Sequence, residues 1–299
     1  MNSTNPLVIA GETKNLGGFS VSRLIPQNDH VAVGPFVFVD HLGPMNVDHE
    51  HKLDVRPHPH IGLATATYLF KGRSYHRDSL GSRQIIQPGD LNWMTAGKGI
   101  VHSERTPKED LAPSLTNDLH GIQVWIGLPV EQEECEPSFT HYPKESLPTL
   151  DFGREVEGRL LIGHYGSVQS PVLTASRTFF CDLHGLQPKD FIMTLDEIEL
   201  GVLIVSGSAK VNSSEWLSKN ELAILRSPNK KRIQIETTAD TRLIVLGGTP
   251  FPEPRYKWWN FISSKKERLR KAAAAWKNGE MPKVPGETEF IPLPEDPLP

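Results

Sequence analysis

Two short segments carry side chains whose types and spacing suit chemistry: His58-Pro59-His60 and His102-Ser103-Glu104. The members of each pair stand at i and i+2, and a β-strand throws such residues onto one face. Two strands of this kind lying close, faces inward, bring three imidazoles and one carboxylate to a point. A nitrogen and oxygen donor set without thiolate suits Fe, Mn, Co, Ni, Cu or Zn and disfavours Ca or Mg. Three neutral imidazoles and one carboxylate around a divalent ion leave a net charge of +1, which attracts an anionic oxygen donor such as an enolate or phenolate. In an octahedral field two positions stay open, for a bidentate substrate or for one substrate atom beside oxygen. That favours iron, as Fe(II), over a closed tetrahedral zinc site. Glu104 is also a candidate base for a substrate hydroxyl.

The elements that must position these residues read as strands. Residues 33–39, 65–70, Arg83–Ile86 and 122–126 are apolar, β-branched or aromatic, and Pro88-Gly89-Asp90 and Ala96-Gly97-Lys98-Gly99 punctuate them as turns. Gln123 and Trp125 lie on the opposite parity from Ile122, Val124 and Ile126. They point either into a polar cavity or out from a half-exposed strand. Phe38 and Met94 serve equally as core or as pocket lining. His76 and Asp78 form a third i, i+2 pair, read as a pair on a strand edge in preference to a support for a ligand imidazole. A single histidine is most often structural; the joint pattern of two pairs near turn glycines singles out the site.

Composition bounds the rest. A chain of 299 residues suits two domains, and 24 glycines with 25 prolines favour short strands and turns over long helices. A net charge of −4 argues against nucleic-acid binding. Only Cys135 and Cys181 are present, so no disulfide framework is indicated and a reducing compartment fits. Cys135 sits among glutamates that would raise its thiol pKa. The start (Asn2, Ser3, Thr4, Asn5) lacks a basic-then-apolar leader pattern and no apolar run reaches membrane length, so the expected location is the cytoplasm. Gly97-Lys98-Gly99 fails as a phosphate loop, because no Ser or Thr follows Lys98. Nine of the twelve histidines, including His30, His41, His49 and His51, precede residue 121, so histidine chemistry belongs to the first half.

The acidic stretch 131–137 breaks the strand rhythm. The boundaries expected are a barrel over 1–135, a second over 140–254, and a helix with a Pro-rich tail over 255–299, packed on the barrels. Ser264-Lys265-Lys266-Glu267 is a capping-box pattern, Leu269, Ala272, Ala273 and Trp276 mark an apolar helical face, and Gly279 and Pro282 close the helix. The tail beyond, through Pro292, Pro294 and Pro297, is expected to be extended and free to move. An internal repeat supports two similar barrels. Laying Gly72 on Gly207 puts His58 on Met193 and His60 on Leu195, and laying Asp90 on Glu221 puts His102 on Ile233 and Glu104 on Ile235. One copy would hold a metal, and the other would fill its mouth with apolar side chains.

His-x-His followed by a distant His matches the metal pattern of cupin barrels. Arg56-Pro57-His58-Pro59-His60-Ile61-Gly62 and the long run from Pro88 through Thr95-Ala96-Gly97-Lys98-Gly99-Ile100-Val101-His102-Ser103-Glu104 resemble the signature of the pirins. Phe38-Val39-Asp40-His41-Leu42-Gly43-Pro44 and His120-Gly121-Ile122-Gln123-Val124-Trp125 fit the same family. The resemblance implies an all-β bicupin, two tandem antiparallel jelly-roll barrels with a C-terminal helix, and one iron held by His58, His60, His102 and Glu104. It also implies quercetin 2,3-dioxygenase activity in some members and, in others, metal-dependent regulation of partner proteins. Two departures from the common His-Pro-His-Arg-Gly-Phe-Glu run are Ile61 for Arg and Ala64 for Glu. Ala64 stands where ordinary cupins place their carboxylate ligand, which leaves that role to Glu104.

The expected function is a mononuclear metal dioxygenase acting on a small flavonol-like substrate and O2. The rival is a redox-responsive regulator that binds a protein partner without turnover. A broad pocket lined by Phe38, Trp93 and Met94 would favour the enzyme, and a filled or solvent-flat site the regulator. A monomer is expected, because one chain already pairs two barrels.

Overall fold

The structure is a computed structural model describing residues 5–16, 18–27, 32–48, 50–112, 117–196, 199–226 and 232–298. His30, His49 and residues 2–4 lie outside the described residues. The chain forms two compact units, one of Met1–Thr13, Ser22–His41 and Glu145–Phe251, the other of Lys14–Val21, Leu42–Lys144 and Pro252–Pro299. Both are discontinuous in sequence, whereas the sequence reading drew linear boundaries at 135 and 254.

Each unit is built on a four-stranded and a seven-stranded antiparallel sheet, and the strand orders match place for place. One four-stranded sheet runs Asp54–His60, Ile100–Arg105, Ser74–Asp78, Arg83–Ile86. Its counterpart runs Lys189–Thr194, Arg232–Thr237, Ser208–Val211, Leu217–Ser218. The seven-stranded sheets begin with Ser138–Tyr142, Leu91–Thr95, Leu63–Lys71, Asn117–Gly127 in one case. In the other they begin with Leu7–Ala10, Glu221–Arg226, Glu199–Ser206, Thr241–Gly248. The edge that Ser138–Tyr142 covers in the first sheet is thus covered in the second by a strand from the other end of the chain. This is an all-β double cupin with one C-terminal helix.

Local chemistry explains the strands. Arg232–Thr237 alternates exposed and buried, with Ile233, Ile235 and Thr237 inward, as a half-buried strand should. Leu63–Lys71 is buried on both faces over most of its length and carries no charge before Lys71, its only inward polar groups being Thr65 and Thr67. The expected strand over 33–39 is shorter at its start, because Val33 turns back to bridge Phe36 through Gly34 and Pro35. At Gly34, φ is +54°, and a Cβ there would run into the backbone of Gly248, so the position requires glycine.

The helix spans Lys266–Lys277 and buries Leu269, Ala272 and Ala273 against Ile61, Trp258 and Phe261. Gly279, at φ +69°, follows its end. The capping box does not form. The N-cap is Lys265, without a side-chain cap, because the Ser264 hydroxyl donates to the Glu133 carboxylate instead. The tail is extended but tied down: the Ile291 N–H donates to the Pro57 carbonyl and the Trp276 indole to the Ile291 carbonyl.

Candidate metal centre

The strands Asp54–His60 and Ile100–Arg105 are antiparallel neighbours, and their register sets His58 directly opposite His102. Opposed residues of such a pair share a face, so both imidazoles point to the same side. His60 joins them from two residues along. Donor nitrogens of His58, His60 and His102 all lie within 4.8 Å of one another, and all three residues are buried. His60 Nε2 and His102 Nε2 approach to 3.1 Å, while the His58 Nδ1–H donates to the Arg56 carbonyl at 2.9 Å and leaves Nε2 with its lone pair. Burial drives the pKa of His58 down and those of His60 and His102 well below the usual histidine range. A proton on one imidazole would further disfavour a proton on its neighbours, although at His58 the Arg56 carbonyl and the Glu104 charge act in the opposite sense. The trio is therefore neutral near pH 7 and offers lone pairs, as a metal requires.

The register shifts at a β-bulge between His102 and Glu104, a device that re-aims a side chain. Glu104 lies 6% exposed. Gln123 Nε2 donates to its two oxygens at 3.0 and 2.8 Å, and the Thr67 hydroxyl donates at 3.1 Å. Gln123 and Thr67 stand opposite each other in register on adjacent strands of the facing sheet, so one face of that sheet is aimed at the histidines. Trp125 and Met94 are both in register with Thr65 on that face, and the Trp125 ring meets His60 at 4.9 Å. Of the two orientations open to Gln123, the inward one is found.

Other expected positions fall elsewhere. Phe38 belongs to the other unit, where the Arg23 guanidinium lies 4.5 Å over its ring. Trp93 is in register with Ala66, on the opposite parity from Met94, and its indole donates to Thr95. Of the Trp93–Met94 pair, Met94 lies on the face turned to the histidines and Trp93 on the other. Ala64 alternates with Thr65 and sits with Ala66 on the far face.

His76 and Asp78 are not a strand-edge pair. Their strand is interior to the sheet, between Ile100–Arg105 and Arg83–Ile86, and both residues are buried. Asp78 Oδ2 lies 3.0 Å from His76 Nε2, and His76 Nδ1 lies 3.4 Å from His102 Nδ1. Burial alone would raise the Asp78 pKa, but hydrogen bonds from His76 and Ser82 outweigh it and hold the carboxyl below its usual value. The imidazole of His76 stacks on Phe139 at 4.2 Å. The repeat of the i, i+2 spacing was the signal for this relay; the neighbour that completes it comes from strand order. Burial and the nearby Glu136 and Glu134 raise the Cys135 thiol pKa, as its setting suggested.

A cupin barrel with a buried three-histidine cluster defines the class: the cluster fits a cupin metal site. Comparison with known proteins gives the family. Residues 18–126 match the pirin family and residues 187–282 match the pirin C-terminal cupin domain. A pirin-like protein of Caulobacter vibrioides is 40% identical over 295 residues, 97% of this chain and 99% of that one. The crystal structure of a quercetin 2,3-dioxygenase from Acinetobacter baumannii superposes with a TM-score of 0.90 at 32% identity, covering 98% of this chain and 96% of that one. A bacterial pirin from Escherichia coli, solved in complex with nickel(II), shares the fold at 16% identity and a TM-score of 0.61, covering 82% of this chain and 100% of that one. The chain belongs to the pirin family. Among the described residues no helix is long and apolar enough to cross a membrane.

Proposed function

We propose that this protein is a mononuclear metal-dependent dioxygenase that opens a flavonol ring of the quercetin type, with His58, His60, His102 and Glu104 holding Fe(II). One observation carries the reading. Donor nitrogens of three neutral imidazoles lie within 4.8 Å of one another. The buried Glu104 carboxylate, outside that closest group but near enough for its charge to act on His58, is met by the neutral donors Gln123 and Thr67. Among the described residues no Lys or Arg pairs with it, which leaves its charge for an ion. The high structural likeness to a quercetin dioxygenase supports the substrate class.

When bound, the ion supplies a Lewis-acidic, redox-active centre for an enolate oxygen and for O2. The chain's own residues do the rest. Glu104 accepts the proton of the substrate 3-hydroxyl at a carboxylate oxygen. The Gln123 amide keeps that carboxylate aimed before and after the transfer. Asp78 orders His76, and His76 orders the His102 ring, so that its Nε2 carries the lone pair. Both atoms of O2 end in the cleaved ester and one ring carbon leaves as carbon monoxide, the outcome the family resemblance implies.

The test is anaerobic loading with Fe(II), confirmation of about one metal per chain, and addition of quercetin with O2. Oxygen uptake should match the loss of flavonol absorbance. Confirmed metal without oxygen uptake would refute turnover and leave the regulatory reading in its place. Glu104→Gln should bind substantial metal and lose turnover; full activity in that variant would remove Glu104 as the base.

A further inference from the structure

We propose that a cleft beneath the C-terminal tail binds an amphipathic monoanion, a carboxylate on an aliphatic or aromatic body. The cleft holds about 820 Å³ between the last turn of the helix and the tail, within the range of small-molecule sites. Pro57 and Val101 lie at its floor. Each directly precedes a histidine of the metal centre and, by strand alternation, faces the other way. The cleft therefore backs onto the metal-bearing strand pair and is separate from its interior.

Its walls are apolar where a ligand body would lie. Trp276, Met281, Phe290 and Leu293 line it, and Phe290 stays 58% exposed while its ring edges Trp276 at 5.9 Å. A large aromatic left this open beside a cavity is surface that a ligand would cover.

Charge selects the head group. The two acids of the wall are both held by arginines, Arg105 being shared with Asp54 as well. Glu287 accepts from Ser103, Arg77 and Arg105 at 3.1, 3.3 and 3.0 Å, and Glu289 pairs with Arg105 at 2.9 Å. Lys277 and Lys283 also line the cleft and are exposed. Neither has a carboxylate partner among the described residues. An apolar slot with two unpaired ammonium groups at its rim disfavours cations, and its walls disfavour small polyanions. A peptide adding along the tail would find Ile291 already committed, its N–H to Pro57 and its carbonyl to Trp276.

Titration calorimetry on the metal-free full chain tests this independently of any dioxygenase activity. The probes are dodecanoate below its micelle concentration and 2-naphthoate, with neutral 1-decanol as control. One saturable site per chain is expected for at least one carboxylate, and the tighter of the two names the aliphatic or aromatic source. Lys277→Glu with Lys283→Glu, both at exposed positions, should weaken the carboxylate by about tenfold or more and leave decanol unchanged. Met281→Trp should weaken both by filling the slot. No saturable carboxylate binding would overturn the proposal. So would affinities indifferent to all three substitutions, because the ligand would then sit elsewhere.

Discussion

The two barrels share one scaffold and fill it oppositely. Where His58 opposes His102 in one, Met193 opposes Ile233 in the other. Glu104 faces His76 in register, and Ile235 faces Val211. The Thr67–Gln123 pair of the facing sheet becomes Val202–Val245, and Asn92, beside Thr67, becomes Ala223, beside Val202. Every one of these apolar counterparts belongs to a single buried cluster. One barrel thus gains directly from burial, at about 25 cal/mol per Å² of apolar surface. The other keeps the same positions polar, with desolvation costs that hydrogen bonds only partly offset. An interior of that kind is stable enough to fold and still leaves binding energy for an ion.

The largest expected effect comes from breaking the polar interior at its centre. His58→Ala or His102→Ala should lose stoichiometric metal, read by elemental analysis of the purified protein. Met193→Ala, at the place equivalent to His58, should leave metal content unchanged and cost about 2–5 kcal/mol of stability. Metal loss in the Met193 variant would mean that the two interiors are not independent. Next in size is metal removal itself. An ion at about a thousandfold over its Kd contributes roughly 4 kcal/mol to the state that binds it. Calorimetric scans of apo and loaded protein should show this gain in the transition that the His58 variant fails to shift, while the transition lowered by Met193→Ala stays in place.

Acid separates the barrels further. His41, in the unit without the trio, hydrogen bonds Asn220, and burial lowers its pKa from 6.5 to about 4. The folded state then holds the ring neutral while the unfolded chain takes up a proton below pH 6.5. Stability is therefore full above that pH, falls as the pH drops towards 4, and has lost about 3 kcal/mol below it. Denaturant titrations from pH 7 to 4 should show this slope, and His41→Gln should flatten it in the metal-loaded protein. An unchanged slope would assign the acid sensitivity to other groups.

What could be read from the sequence was local in origin. Period-2 spacing placed His58 with His60 and His102 with Glu104, and glycines at 72 and 207 anchored a repeat whose register the strands reproduce at Met193–Ile233 and Val202–Val245. Parity alone brought Gln123 to the choice between inside and outside, and only its partner Glu104, across the barrel, decides it. His76 and Asp78 were misplaced for the same reason: nothing near them in the chain says that their strand lies between two others. Ser264 had the pattern of a cap, but a distant carboxylate, Glu133, took its hydroxyl. Leu7–Ala10 pairs with Glu221–Arg226, a contact that no reading by adjacent segments would find.

The smallest expected effect tests the relay behind His102. Replacing His76 with Val, the residue at its counterpart Val211, makes this corner of the polar barrel match the apolar one. It removes the ring 3.4 Å from His102 Nδ1 and leaves Asp78 with its donors from Leu80 and Ser82. His102 would keep its place on the strand but lose the partner that selects its tautomer, a change worth about 10–100-fold in metal affinity. His76→Gln, which can still hydrogen bond to His102 and to Asp78, should recover part of it. Competition titrations with a chelator of known affinity read the difference without turnover. If His76→Val binds metal as tightly as the parent, His76 and Asp78 serve only to satisfy each other in a buried sheet. The contrast between the barrels would then narrow to His58, His60, His102 and the Glu104 carboxylate with its two donors.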